Sequence, residues 1–257
     1  MNALAYAVSD TVVLARRNLL RIPRQPDLLI SFTVQPIMFV LLFVYVFGGA
    51  IQTPGVEYVD FLIPGIVIQT MAFGGFVTAL GLSDDLRKGL IDRFRSLPMA
   101  PGAVLAGRTL ADVATNVLSL AVMIGVGLAV GFRFDASVLE ILAGIGLALL
   151  FGYAFSWIFA CMALISSSPE SEQAIGFILV FPLTFASSAF VPVESMPDWL
   201  QPFAEHNPIT VTVDALRALW IGADEGNAVW VALAWSVGLT VVFASLAIAR
   251  YRRAVLR

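Results

Sequence analysis

The sequence is poor in charge and in the residues that build covalent or metal chemistry. Only 13% of its 257 residues are charged, and it holds one cysteine, Cys161, and one histidine, His206. A single cysteine excludes a scaffold held together by internal disulfides, and a single histidine excludes the common zinc sites. A formal net charge of −3, without a long basic tract, gives no support for nucleic-acid binding.

Motifs for nucleotide chemistry are also missing. The chain has no G-x-x-x-x-G-K-[ST] loop, so we expect it to hold no ATP phosphates itself. Ser166, Ser167 and Ser168 have no histidine on their side of the chain to activate them. Cys161 lies in an apolar stretch, where an inert buried thiol is expected. We therefore expect no catalytic residue, metal or cofactor in this chain.

What the sequence has in excess is apolar surface. Hydrophobic residues make up 59% of the chain, against about 45–50% in soluble proteins. Crossing a bilayer takes about 20 mostly apolar residues, and the strict alternation of a membrane barrel is absent. We predict an all-α integral membrane fold with one transmembrane domain over residues 1–257. Its six predicted spans are residues 28–51, 61–82, 104–130, 138–165, 172–190 and 228–250.

The basic residues lie almost entirely on one side of these spans. Arg133 and Arg217 fall on the opposite side. Basic loops stay in the cytoplasm, so the sequence predicts a multi-pass protein with both termini cytoplasmic. The thirteen residues on the predicted cytoplasmic side are Arg16, Arg17, Arg21, Arg24, Arg87, Lys88, Arg93, Arg95, Arg108, Arg250, Arg252, Arg253 and Arg257.

Residues 1–24 read as an amphipathic helix on the inner membrane surface, ended by Pro23 and Pro26. Asp10 interrupts the apolar residues there, so we expect no cleavable signal peptide. The helix alternatively serves only as a short anchor. Its apolar positions are Leu4, Val8, Val12, Ala15, Leu19 and Ile22.

Polar side chains inside the predicted spans have two readings. Arg108, Asp112 and Asn116 share one helical face in the third span, while Gln35 and Gln69 interrupt the first and second. They either hydrogen-bond neighbouring helices or line a transport path or its inner gate. The sequence leaves both open.

The loop SDDLRKGLIDRFRSL, residues 83–97, reads as a separate amphipathic helix capped by Ser83 and stopped by Pro98. Such a helix either rests on lipid headgroups or enters a groove on a cytoplasmic partner. The candidate contact residues are Asp84, Asp85, Leu86, Arg87, Lys88, Leu90, Asp92, Arg93, Phe94, Arg95 and Leu97.

The segment 191–227 on the other side reads as two short helices. Trp199 and Phe203 belong to the first, which is predicted to start near Pro197. Asn207 caps the second, Pro208 opens it and Gly222 ends it. Ile209, Val213, Leu216 and Trp220 form its apolar stripe, and Asp214 lies three residues before Arg217. The plain alternative is an aromatic anchor at the membrane interface.

Two stretches carry a family resemblance. The chain resembles the permease subunits of type-2 ABC exporters in two stretches and in the order of the helices around them. The stretches are RSLPMAPGAVLAGRTLADV and FVPVESMPDWLQPFAEHNPITVTVDALRAL. Among these exporters, the sequence resembles bacterial drug-resistance exporters of the daunorubicin type. The resemblance implies a bacterial cell-membrane permease whose ATP and Mg²⁺ are bound by a separate cytoplasmic ATPase.

The resemblance also assigns roles. It implies that the helix around Asp84–Leu97 is the coupling helix, that Leu4–Ile22 forms a second contact with the ATPase, and that the outer helices are a re-entrant cap over the exit. ATP would drive alternating access. We expect two permeases, identical or paralogous, to pair in the lipid, and the cargo to be a hydrophobic or amphiphilic drug, lipid or glycan-like molecule. The competing class is a non-transporting membrane scaffold or assembly factor.

Overall fold

A computed structural model describes residues 10–18, 26–51, 53, 55–87, 101–166, 168–224 and 226–255. The regular structure in these ranges is helical. The helices are α1 (10–18), α2 (Pro26–Leu42), α3 (Tyr58–Arg87), α4 (Pro101–Val130), α5 (Val138–Ala163), α6 (Pro169–Phe185), α7 (Gln201–His206), α8 (Pro208–Ile221) and α9 (Ala228–Val255). A wider π-helical turn, Phe43–Phe47, continues α2, and a 3₁₀ turn, Val193–Ser195, precedes α7.

Four of the described helices are long and apolar enough to cross a membrane. They are the stretches Tyr58–Asp85, Leu105–Val130, Val138–Ala163 and Ala228–Tyr251. The apolar part of α2, Val34–Phe47, is shorter, and α6 has 17 residues. The structure thus agrees with an all-α integral membrane protein, and the first and fifth of the six predicted spans stay predictions.

Helix α3 is the centre of the bundle. It packs against α2, α4, α5, α6 and α8. In the most apolar 18-residue stretch of each helix, 83% of α3 is buried, against 17% of α9. Leu62, Ile63, Ile66, Ile68 and Met71 are completely buried. The peripheral helices therefore carry the apolar surface that remains for lipid or for another protein.

The order of contacts defines two ends of the bundle. Helix α4 lies antiparallel to α3, because Arg108 reaches Val77 while Gly127 faces Ile63. We call the end that contains Arg87 the basic end. The opposite end, where α3 begins, is the cap end, since residues 186–221, which we call the cap, lie there.

Helix α6 differs from the fifth predicted span, 172–190. Ser168 and Ser171 form a capping box at its start, so it begins three residues earlier, at Pro169. It ends at Phe185, where the Asn207 amide donates to the carbonyl oxygens of Leu183, at 2.7 Å, and Ala186, at 2.8 Å. These terminal carbonyls would need further helix to be satisfied within the span, and a distant side chain satisfies them instead.

The prediction that Ser83 caps a separate helix is wrong. Helix α3 continues without interruption through Ser83, Asp84 and Asp85 to Arg87. No glycine or proline stands between Leu82 and Arg87 to break it, and the Ser83 hydroxyl donates to the Glu172 carboxylate instead of capping. Residues 88–100, which hold the rest of the predicted coupling helix, lie outside the described residues.

Helix α1 lies against the bundle at the basic end. Leu14 and Ala15 are buried, whereas Val12 is 55% exposed. The Leu14 Cβ comes within 2.7 Å of the position that a Cβ on Gly107 would take, so α1 packs directly on α4. One face of α1 thus contacts protein and another remains open, and its contact with the membrane surface stays a prediction. Leu4, Val8, Leu19 and Ile22 lie outside the described residues.

Candidate functional site

Arg108, Asp112 and Asn116 form a row on the face of α4 that meets α3; Arg108 is partly buried and the other two are buried. Arg108 Nη2 donates to the Val77 carbonyl oxygen at 2.8 Å, and the Thr78 hydroxyl donates to the Asp112 carboxylate. Asp112 and Asn116 are each 3% exposed. The shared helical face predicted from the sequence is therefore present, and it is turned towards the central helix.

Glycines on α3 and α5 make room for this row. A Cβ on Gly81 would overlap the Arg108 guanidinium, and one on Gly74 would overlap the Asn116 amide. A Cβ on Gly152 of α5 would lie 2.9 Å from Asn116 Nδ2. The spacing along α4 did not identify these glycines as partners, although Gly74 and Gly81 are seven residues apart and so share one face of α3.

Two atoms of the row have no hydrogen-bond partner among the described residues, Arg108 Nε and Asn116 Nδ2. The other two path candidates are not joined to the row. Gln69 is buried in α3, and Gln35 lies on the exposed face of α2. The structure thus brings together three of the five candidates, and whether any of them lines a path stays a prediction.

Two further side-chain pairs hold the basic end of α3. The Ser83 hydroxyl donates to Glu172 of α6, whose side chain is buried. Arg17 of α1 forms an ion pair with Asp85, with Nη2 3.4 Å from Oδ1. The Asp85 side chain is 8% exposed and the Arg17 side chain 39%. The sequence named Ser83 and Asp85 but held no signal for their respective partners, Glu172 and Arg17, which come from distant segments.

The other residues predicted to contact a cytoplasmic partner fall into two groups. Some lie in α3, and the rest lie outside the described residues. Asp84, Leu86 and Arg87 lie in the last turns of α3. Their predicted role in docking a partner stays a prediction. Those outside the described residues are Lys88, Leu90, Asp92, Arg93, Phe94, Arg95 and Leu97.

At the cap end, Arg217 of α8 is the centre of a buried network. Its guanidinium donates to the Asp214 carboxylate at 2.8 Å, twice to the Phe61 carbonyl oxygen at 3.0 and 3.2 Å, and to the Ser188 carbonyl oxygen at 2.7 Å. A fifth bond reaches the Ser188 hydroxyl at 3.1 Å. Five bonds equal the number of N–H donors on a guanidinium, and Arg217 is 3% exposed.

Asp214 completes this network. It accepts from the Ser188 hydroxyl at 2.8 Å as well as from Arg217. Burial raises the pKa of Asp214, and the neighbouring Arg217 guanidinium opposes that rise. The spacing of three residues predicted this ion pair, but the sequence held no signal for the two backbone carbonyls that Arg217 also binds.

The second cap helix is capped as predicted, and the first lies differently. Asn207 Oδ1 accepts from the Ile209 N–H at 2.9 Å, Pro208 opens α8, and Gly222 ends it with φ +65°. The first helix, α7, begins at Gln201 instead of near Pro197. Trp199 is 78% exposed and Phe203 51% exposed, as expected of residues that contact lipid or another protein. The predicted stripe of Ile209, Val213, Leu216 and Trp220 is completely buried.

Comparison with known proteins gives a consistent result. The sequence profile of the family described as "ABC-2 type transporter" matches residues 9–220. The daunorubicin resistance ABC transporter permease protein DrrB1 of Streptomyces coeruleorubidus is 37% identical over 250 residues, which cover 97% of this chain and 88% of that protein. The probable doxorubicin resistance ABC transporter permease protein DrrC of Mycobacterium tuberculosis is 27% identical, covering 98% of this chain and 92% of that protein. The putative transport permease ycf38 of Cyanophora paradoxa is 26% identical, covering 84% and 75%.

Proposed function

This chain belongs to the ABC-2 type transporter family, and on that premise we propose that it is the membrane-spanning subunit of an ATP-driven exporter. The observation that carries the proposal is its 37% identity to a drug-resistance permease along 97% of its length. The proposed cargo is a hydrophobic or amphiphilic molecule, moved outward by alternating access. ATP hydrolysis would take place on a separate cytoplasmic subunit.

The test is reconstitution with an ABC ATPase encoded beside this chain. Proteoliposomes that contain both subunits are expected to move daunorubicin, used as a fluorescent amphiphile, only when ATP is present. An ATPase variant lacking its P-loop lysine is the control, since it should abolish transport without changing the permease. ATP hydrolysis that does not respond to the permease, together with no movement of any amphiphile, would favour the scaffold alternative.

We propose that the segment from Asp84 to Leu97 docks on this ATPase. Its support is the resemblance and the position of Asp85, which links α1 to the last turns of α3. Leu90 and Phe94 are four residues apart and so share the apolar face of the predicted helix. Leu90→Asp or Phe94→Asp would place a charge on that face and is expected to abolish copurification of the ATPase. Ser96→Asp adds the same charge at a position of this segment that is not among the candidate contact residues, so it is the matched control and should copurify normally. Normal copurification of both apolar-face variants would contradict the proposal.

We also propose that the exposed face of α2 meets a second permease, identical or paralogous. Gln35 is exposed there beside Val34 and Met38, and hydrocarbon offers no partner for an amide. With Cys161→Ser as background, Gln35→Cys should cross-link two copies in membranes, provided the pair is a homodimer. Val237→Cys, on the exposed face of α9, should not. Equal cross-linking at both positions would argue against this interface.

A further inference from the structure

The cap is seated on the bundle of its own protomer. Helix α8 packs against α3, α5 and α9, and its apolar stripe is completely buried. Trp220 also donates its indole N–H to the Ile141 carbonyl oxygen at 3.3 Å, while its own carbonyl accepts from the Asp135 N–H at 2.9 Å. The cap therefore closes over the helices of the same chain.

The backbone of the cap lies in direct contact with the backbone of α3. A Cβ on Gly65 would overlap the Ala189 carbonyl oxygen and lie 2.9 Å from the Ala189 Cα. About two helical turns closer to the cap end, the Tyr58 hydroxyl donates to the Phe190 carbonyl oxygen at 3.2 Å. Only a residue without a side chain permits the first contact, and the second adds a bond across the same boundary.

Arg217 bonds both sides of this boundary. Its guanidinium binds the Phe61 carbonyl oxygen of α3 and the Ser188 carbonyl oxygen of the cap, and its Cζ lies 3.5 Å from the centre of the Phe61 ring. If the cap lifted from α3, this buried cation would lose the two hydrogen bonds that it donates to the Phe61 carbonyl oxygen. Removing one side of a buried ionic network is costly because the remaining charge is left without compensation.

We infer that Arg217 is a positioning residue that keeps the cap attached to α3, so that cap and α3 move as one body during transport. The exit then opens between two permease subunits and not beneath the cap of one subunit. This inference rests on the proposed function, because it requires a pair of permeases and an ATP-driven cycle. It adds which boundary stays closed and which residue holds it.

The test measures two distances in the complete permease–ATPase complex. Spin labels are placed at Glu57→Cys, beside the start of α3, and at Trp199→Cys in the cap, both exposed positions, in a Cys161→Ser background. Dilution with unlabelled permease isolates the distance within one subunit. From the nucleotide-free to the vanadate-trapped state this distance should change by less than about 2 Å, the size of a small helix shift. In complexes labelled only at position 199, the distance between subunits should change by more.

A larger change within one subunit would overturn the inference, and so would constancy of both distances, since the exit would then open elsewhere. Arg217→Lys keeps the charge but loses the planar fork of donors. We expect it to broaden the distribution of distances between the two spin labels within one subunit. We also expect it to lower export per ATP hydrolysed by about threefold to tenfold. Arg133→Lys, an exposed arginine at the same end, should change neither. Failure of the proposed function would appear separately, as absence of vanadate trapping and of transport in the unmodified complex.

Discussion

The cap end and the basic end of the bundle are both held by buried polar groups, but in different ways. At the cap end, one guanidinium uses five hydrogen bonds to join α8, α3 and the residues after α6. At the basic end, α1, α4 and α6 reach α3 through separate contacts, made by Arg17, Arg108 and Asp112, and Glu172.

The two ends differ in how readily their polar groups can change hydrogen-bond partners. A network in which every donor is used cannot rearrange without leaving a buried group unsatisfied, which costs about 1–3 kcal/mol for each neutral group and more for a charge. Arg108 Nε, towards the basic end, and Asn116 Nδ2, near the middle of the bundle, lack partners among the described residues, and the Arg17 side chain at the basic end is partly solvated. The basic end is therefore better suited to change its contacts while the cap end keeps its own.

The largest effect is expected from removing the centre of the cap network. Arg217→Met leaves the Asp214 carboxylate and the carbonyl oxygens of Phe61 and Ser188 without their buried donor. We expect a loss of about 3–5 kcal/mol of stability, measured by unfolding in mixed micelles with increasing dodecyl sulfate. Arg133→Met removes an exposed arginine at the same end and should cost about 0.5 kcal/mol or less. Equal losses in the two variants would mean that the buried network contributes no more to stability than a surface arginine does.

A smaller effect is expected from adding one methyl group at each end. Gly65→Ala meets the backbone of Ala189, which cannot move aside, and should cost about 1–3 kcal/mol. Gly81→Ala meets the end of the flexible Arg108 side chain, so its cost should be lower, while the Arg108 bond to Val77 weakens. The same unfolding titration measures both.

Gly125→Ala is the control for these two variants, since nothing lies within 4 Å of the added methyl group. It should be neutral or slightly stabilising, because alanine favours the helix by up to about 1 kcal/mol. A Gly81→Ala variant as unstable as Gly65→Ala would show that the basic end is as rigid as the cap.

The features predicted correctly from the sequence are local. Asn207, Pro208 and Gly222 define α8 because caps involve residues only a few positions apart. The common face of Arg108, Asp112 and Asn116 follows from helical spacing alone. Apolar content and run length indicated a helical membrane protein for the same reason, since each crossing is satisfied within its own segment.

The features that the sequence did not predict depend on segments far apart in the chain. Helix α6 ends at Phe185 because the amide of Asn207, more than 20 residues later, donates hydrogen bonds to the last carbonyl oxygens of the helix. Ser83 is predicted to cap a helix, but its hydroxyl donates a hydrogen bond to Glu172, 89 residues away. Such partners are set by the packing of whole helices, which spacing along a single helix does not encode.

The smallest effect on stability, and the sharpest test of the basic end, concerns Arg17 and Asp85. The Arg17 side chain is 39% exposed, and a partly solvated ion pair contributes about 0.2–1 kcal/mol, so Arg17→Asp should change unfolding little. Asp85→Arg replaces a buried carboxylate and should cost more. If this pair links α1 to the segment that docks on the ATPase, each variant should nevertheless lower permease-stimulated ATP hydrolysis severalfold. The exchanged pair, Arg17→Asp with Asp85→Arg, should restore most of it, because the attraction returns with reversed polarity. A double variant no more active than either single one would mean that the ion pair transmits nothing, and α1 would then serve only to cover α4.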